Sequence, residues 1–349
     1  MNNSSNIVKI PVGLEEFSRN YADVHGYLSA VVSLFGTFSN LANIIVLTRK
    51  SMITSSNIIL TWLAVADLLT MVTYLPSSLH FYILKPSNLP FPSSYSMSWQ
   101  FYMLFQINFS VVCHTIAIWL TINLAIFRYL YIRFPTSGVI LCSLRRAKYT
   151  TGAIYILTSA ICIPNCLQTF VKRYVDENNE IYYGFGDGIN EVKNLNFWIQ
   201  AILIKLVPCC LLTVLTVLLI IEMKKAANRR AQLKQQGRRA ESDRAREHNR
   251  TTAMLFAVVV LFLLTELPQG ILTLCSAFDS TFFARIYQPL GDLLDITALL
   301  NNSINFVLYC TMSTQFRKTF TEIFCIKTRA GWSKVPRQET NRKTATTSL

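Results

Sequence analysis

Seven long apolar runs, separated by short polar segments, occupy the chain from Gly26 to Phe316. The first, Gly26 to Thr48, holds no charge over 23 consecutive residues, and the fourth, Tyr149 to Val171, matches it. A helix needs about 20 such residues to cross the hydrocarbon core of a bilayer. The remaining runs are as long but carry isolated ionisable residues: Asp67 in the second, Lys205 in the fifth, Glu266 in the sixth, and Asp292 and Asp295 opening the seventh. Lipid tolerates only closed backbone hydrogen bonding, and runs of this length form helices, since barrel strands are about half as long and alternate in polarity. The pattern predicts spans near 27–48, 58–80, 99–131, 150–170, 197–222, 251–276 and 286–310.

Composition agrees. A chain of 349 residues that is 52% hydrophobic and only 15% charged fits an integral membrane protein better than a soluble enzyme. The net charge of +14 raises nucleic-acid binding, but the positions of the bases exclude it. Of the 33 Lys and Arg, 25 fall in Arg49–Lys50, Arg128–Lys148, Lys224–Arg250 and Arg317–Lys343, all on one side of the spans. Seven lie on the other side, and Lys205 is inside a span. This positive-inside asymmetry predicts a multi-pass plasma-membrane protein with an extracellular N-terminus.

The segments outside the spans add detail. Residues 1–26 are polar and lack a cleavable apolar core, so they are expected to be an extracellular tail anchored by the first span. Asn2 and Asn3 both head glycosylation acceptor triplets there. The outer loop from Val171 to Asn196 is acidic, and the inner loop from Lys224 to Arg250 is basic and nearly free of apolar residues. The inner loop is expected to be helical extensions of its flanking spans around a mobile middle. After the seventh span, Phe316, Phe320, Ile323 and Phe324 share one helical face, an amphipathic helix in the interface contacting membrane lipid. Cys325 at its end is a palmitoylation candidate. The tail from residue 327 is expected to be disordered, and its C-terminal Thr347-Ser348-Leu349 resembles a ligand for a PDZ protein. The expected organisation is therefore a tail at 1–26, a seven-span domain at 27–310, an amphipathic helix at 311–326 and a cytoplasmic tail at 327–349. The fold class is all-α, a seven-transmembrane-helix bundle with a short amphipathic eighth helix.

Several residues stand out within the spans, in order: Asn43 in Asn43-Ile-Ile-Val46, Asp67 in Leu63-Ala-Val-Ala-Asp67, Arg128 and Tyr129 closing the third run with Pro135 beyond, Pro208, Pro268, then Asn305 and Tyr309. Across residues 27–326 this set resembles the rhodopsin-like G protein-coupled receptors. The departures narrow the resemblance. Phe127 stands where the acid before the arginine is usual, Thr265-Glu266-Leu267-Pro268 replaces the aromatic before the sixth-span proline, Phe306 replaces the seventh-span proline, and Ile154 stands for the fourth-span tryptophan. Met103 lies near the usual bridging cysteine, and the outer loop 171–196 has no cysteine, so that disulfide is not expected. Phe-Arg-Tyr, Thr-Glu-Leu-Pro-Gln-Gly and Asn-Phe-Val-Leu-Tyr together resemble invertebrate myosuppressin-type and FMRFamide-type neuropeptide receptors, which grade into nematode Srw-class chemoreceptors. The resemblance implies a ligand ending in Arg-Phe-amide and signalling through a heterotrimeric G protein, often of the Gi/o class. The alternative is a chemosensory receptor for an environmental cue.

The residues also support physical expectations of their own. Asp67 must face the bundle interior and find partners, among them Asn43 and Asn302 or Asn305, in a polar cluster able to hold water or Na+; no other cofactor and no metal is expected. Pro208 and Pro268 kink their helices. Arg128 sits where its guanidinium can bond backbone carbonyls of a neighbour or of an inserted partner helix. Glu266 near mid-membrane must be paired, and Lys205, one turn before Pro208, and His114 should approach it. That pair is either a resting lock which a cationic amidated peptide opens or a permanent structural bond. Asp292 and Asp295, at i and i+3, share a face near the outer mouth and would steer a cation inward. Gln106, Ser110, Gln269 and Gln288 are candidates for a terminal carboxamide, with Trp99 and Tyr102 as aromatic surface.

The chain lacks a phosphate loop, metal-ligand spacing or nucleophile elbow, and its four histidines are scattered, so it does not read as an enzyme. A transporter or channel using Asp67, Lys205 and Glu266 is disfavoured by the lack of internal repeats.

Overall fold

A computed structural model describes residues 10–84, 96–175, 179, 181–235, 260–261 and 263–324. Asn2, Asn3, Cys325, the middle of the basic inner loop and the C-terminal tail lie outside the described residues. Among the described residues, six helices are long and apolar enough to span a membrane: Val12–Leu47, Ser55–Ile83, Met97–Arg133, Leu144–Leu167, Asn190–Glu222 and Phe283–Thr311. The apolar helix Leu263–Phe278 supplies the described part of the sixth span. The architecture is the all-α bundle that the seven runs predict.

The first helix differs from expectation at its outer end. It begins at Val12, so residues 12–26 are helical rather than a tail. The polar residues of this stretch concealed a buried face: His25 is fully buried, and its ring lies 4.9 Å from that of Tyr82 and 6.4 Å from that of Tyr74. Gly26 makes this packing feasible, because a Cβ at that position would collide with the Cβ of Tyr82.

Three helices widen into π turns, at Ser78–Ile83, Gln200–Leu206 and Phe283–Tyr287. The second precedes Pro208 and the third precedes Pro289. Proline has no N–H and its ring crowds the carbonyl one turn upstream, so the preceding turn opens to relieve both problems. Lys205 sits on the π turn before Pro208 and is buried.

The outer loop 171–196 contains a hairpin, Thr169–Val175 (β1) paired antiparallel with Ile181–Asp187 (β2), with Val171 opposite Phe185. All eight described cysteines are free. The base of the hairpin is held instead by amides. Asn165 Oδ1 accepts from Gln168 Nε2 at 3.1 Å, Asn196 Nδ2 at 3.1 Å and Gln200 Nε2 at 2.6 Å, while Asn165 Nδ2 donates to Asn108 Oδ1 at 2.8 Å. Asn196 also donates to Gln168 Oε1 at 2.8 Å. This cluster ties the outer ends of the third, fourth and fifth spans, and Gly188 N donates to Gln168 O to anchor the hairpin. Replacing Asn165 by leucine removes four amide hydrogen bonds in a partly buried setting, with Asn196 keeping its bond to Gln168, so we expect a loss of roughly 2–4 kcal/mol. A lowered thermal-unfolding midpoint of purified receptor checks this; an unchanged midpoint would remove the cluster's structural role.

At the end of the bundle that carries most of the basic residues, Pro135–Leu141 forms a short helix after the third span, and the fifth-span helix runs on to Gln235. Ser313 breaks the seventh helix, and Thr314–Phe324 forms a separate helix that contacts the first and seventh. Phe316 on its inner face is buried against Tyr309, with ring centroids 5.5 Å apart, while Phe324 stays exposed.

Candidate ligand pocket

A cavity of about 230 Å³ opens between the third, fifth, sixth and seventh spans. Ser110, His114, Lys205, Gln269 and Asp295 line it, as do Tyr74 and Tyr287, which the sequence pattern did not single out. Lys205 Nζ donates to Glu266 Oε2 at 2.6 Å and to Gln269 Oε1 at 2.8 Å. His114 Nε2 lies 3.0 Å from Glu266 Oε1 and 3.4 Å from Lys205 Nζ. Glu266 is 1% exposed and both of its oxygens are engaged. Gly270 permits this approach, since a Cβ there would come 3.1 Å from Lys205 Cβ. The expected convergence of Lys205, His114 and Glu266 is therefore present, positioned by a π turn and a glycine.

The other candidates separate. Gln288 lines a different, outer cavity of about 980 Å³, with Glu191, Phe197, Phe278 and Phe283 on its walls. Gln106 is buried away from both cavities, near Ser77 Oγ at 3.5 Å. Trp99 stacks on His80 at 3.6 Å, and the Tyr102 hydroxyl donates to Thr73 O at 2.8 Å, so neither faces the inner cavity. Asp292 and Asp295 do not form one acidic entrance. Asp292 accepts from the Tyr82 hydroxyl at 2.7 Å, whereas Asp295, one turn deeper, accepts from the Tyr74 hydroxyl at 3.0 Å and borders the inner cavity. Spacing on a helix set their shared face; the two tyrosines of the second span divided their surroundings.

Below the pocket, Asn305 Nδ2 donates to Asp67 Oδ2 at 3.0 Å. The expected bond from Asn43 is absent: Asn43 Nδ2 points to Asn40 Oδ1 at 3.5 Å, and Asn40 Nδ2 donates to Asn302 O at 3.1 Å. Asn40, on the first span, thus reaches the seventh span through the backbone of Asn302, while the bond to Asp67 comes from Asn305. A void of about 20 Å³ touches Asp67, Thr121, Asn302 and Asn305, room for one water-sized species. At the basic end of the bundle, a cavity of about 510 Å³ is lined by Arg128, Phe127, Tyr131, Cys142 and Gln315 among others. Arg128 Nε is buried with no hydrogen-bond partner, so the expected bond from this nitrogen to a neighbouring carbonyl is not made. Phe127 turns into the core beside Cys142, whose Sγ donates to Phe127 O at 3.3 Å. Tyr129 packs, partly buried, against the apolar cluster of the third and fifth spans.

Seven apolar helices, a charged cavity among them and an arginine lining a second cavity at the basic end define a heptahelical receptor. Residues 27–327 match the family model described as serpentine type 7TM GPCR chemoreceptor Srw, and the chain belongs to that family. It is a multi-pass membrane protein and a G protein-coupled receptor. Among known proteins it is similar to the G-protein coupled receptor dmsr-1 of Caenorhabditis elegans, at 29% identity over 87% of this chain and 68% of that one. It is also similar to the sex peptide receptor of Drosophila melanogaster, at 29% identity over 86% of this chain and 72% of that one. A third relative is the FMRFamide receptor of Drosophila melanogaster, at 25% identity over 86% of this chain and 54% of that one.

Proposed function

We propose that the chain is a plasma-membrane neuropeptide receptor, with its N-terminus outside, for a cationic amidated peptide of the Arg-Phe-amide type. The observation that carries this reading is the pairing of cavities. The inner one, at about 230 Å³, is smaller than the 300–1,000 Å³ typical of small-molecule sites, and suits one or two side chains. The wider outer cavity, walled by Phe197, Phe278 and Phe283, accommodates the rest of a peptide. The names of the relatives, peptide receptors in two of three cases, support the same reading. Ligand entry is transmitted downward past His114, which touches both the Lys205–Glu266 pair and the small void at Asp67. That void would hold a water or Na+ in the resting state. At the inner face, the cavity at Arg128 receives the heterotrimeric G protein, of the Gi/o class.

The test is activation in cells expressing the full chain, read as G protein dissociation, with a panel of amidated peptides and with pertussis toxin. Nanomolar responses to Arg-Phe-amide peptides that the toxin abolishes are expected. Silence toward all peptides, with responses to small volatile or soluble cues instead, would replace this reading with the chemosensory one, which the family description favours.

A further inference from the structure

We propose that Asp295, and not Glu266, receives the positive charge of the ligand. This rests on the peptide reading above and refines it to a single contact.

Three acids lie near the pocket, and their surroundings differ. Glu266 is closed: Lys205 holds one oxygen at 2.6 Å, His114 lies 3.0 Å from the other, and the residue is absent from the cavity wall. A guanidinium could reach Glu266 only by displacing Lys205, leaving that ammonium buried with Gln269 and His114 as its remaining partners. Asp292 is turned toward the first two spans by Tyr82 and does not line the cavity either. Asp295 is the contrasting case. It lies one turn further into the seventh span than Asp292, and its side chain is exposed to the cavity. Tyr74 donates one hydrogen bond to Oδ2, and Oδ1 accepts none among the described residues. No Lys or Arg forms an ion pair with it among the described residues, whereas Glu266 has one.

A carboxylate exposed to the cavity, with no Lys or Arg paired to it among the described residues, can take an incoming cation without displacing an existing partner. Asp295 is also presented for this purpose. The Tyr74 hydroxyl, which lies 3.1 Å from His25 Nε2, donates to Oδ2 and so fixes the carboxylate at the border of the cavity. Oδ1 and the second lone pair of Oδ2 match the paired N–H groups of a guanidinium. Across the cavity, the Tyr287 hydroxyl accepts from Gln269 Nε2 at 3.2 Å, so its own proton remains for a carbonyl of the same ligand. A cation beside a neutral carbonyl acceptor is the chemistry of an arginine followed by an amidated residue.

The experiment compares amidated peptides ending Arg-Phe-amide with matched peptides in which neutral citrulline replaces arginine, on full-length receptor normalised for surface expression. Wild type should prefer arginine by about 30-fold or more in potency. Asp295→Asn, which keeps the shape and the Tyr74 contact, should lose that preference through weaker arginine peptides and unchanged citrulline peptides. Asp295→Glu should restore part of it. Glu266→Gln should keep the arginine-to-citrulline ratio of the wild type, whatever it does to maximal response. An undiminished ratio in Asp295→Asn, or its collapse in Glu266→Gln, overturns the assignment while the peptide reading stands. If the wild type answers only peptides lacking a basic residue, the assignment also fails. If it answers no peptide at all, both fall together.

Discussion

Glu266→Leu should leave almost no receptor at the cell surface, whereas Lys205→Met should be tolerated markedly better. Removing one partner of a buried ion pair costs about 3–5 kcal/mol, because the other charge is left uncompensated. The two deletions are not equivalent here. Without Lys205, Glu266 still has His114 3.0 Å away, and a protonated imidazole can balance the carboxylate. Without Glu266, the Lys205 ammonium keeps only the carbonyl oxygen of Gln269 at 2.8 Å and a histidine that cannot neutralise it. The double variant Lys205→Met with Glu266→Leu removes both charges and should return surface expression toward wild type, as apolar replacements of buried pairs commonly do. Flow cytometry on an N-terminal tag, with the two singles and the double side by side, measures the order. Equal losses in the two singles, or no recovery in the double, would mean that the pair is not what stabilises this part of the bundle.

Arg128→Ala should abolish agonist-driven G protein activation, by about 100-fold or more in coupling efficiency, while leaving ligand binding within a few-fold of wild type. The residue lines the inner cavity of about 510 Å³, with Nε buried and unpartnered. A buried donor without an acceptor is a standing cost, which an inserted helix C-terminus can relieve with its free carbonyls. The large factor follows because the contact combines a charge-assisted hydrogen bond with satisfaction of that donor. Arg128→Lys should recover only part of the coupling, since a point charge cannot reproduce the planar fork. Coupling measured against ligand binding separates this from misfolding; a parallel loss of both would place Arg128 in the structural core instead.

Much of the fold was legible because its cause is local. Lipid imposes a length and an apolar character on each span, and those can be counted along the chain without knowing what touches what. The same holds for Phe316 and Phe320, whose helical spacing marked the inner face of the last helix before packing was known. The Lys205–Glu266–His114 convergence was legible for a different reason: three ionisable groups at similar depth in lipid have few partners other than one another. Legibility failed where several acceptable partners compete. Asn43 looked like the partner of Asp67, but Asn40 is the residue that reaches the seventh span, and a difference of three residues on one helix is below what spacing resolves. The amide hub at Asn165 was missed because single Asn and Gln residues near span ends look like ordinary interfacial polarity. Their value lies in meeting from three helices at once.

The sequence by itself determined the apolar spans, the asymmetry of basic residues between their two sides, the absence of a cysteine from the outer loop 171–196, and the small set of charges that have to be solved inside the bilayer. These follow from transfer free energies, which are additive along a chain and indifferent to neighbours. Only the tertiary structure decided which of those charges is spent and which is open. Glu266 and Asp295 are both intramembrane acids, and nothing in their local sequence separates them. A π turn before Pro208 and the small side of Gly270 bring Lys205 onto Glu266, while Tyr74 holds Asp295 at the cavity, where no Lys or Arg pairs with it among the described residues. Electrostatic function depends on distances between residues far apart in the chain, and those distances exist only after the helices have packed.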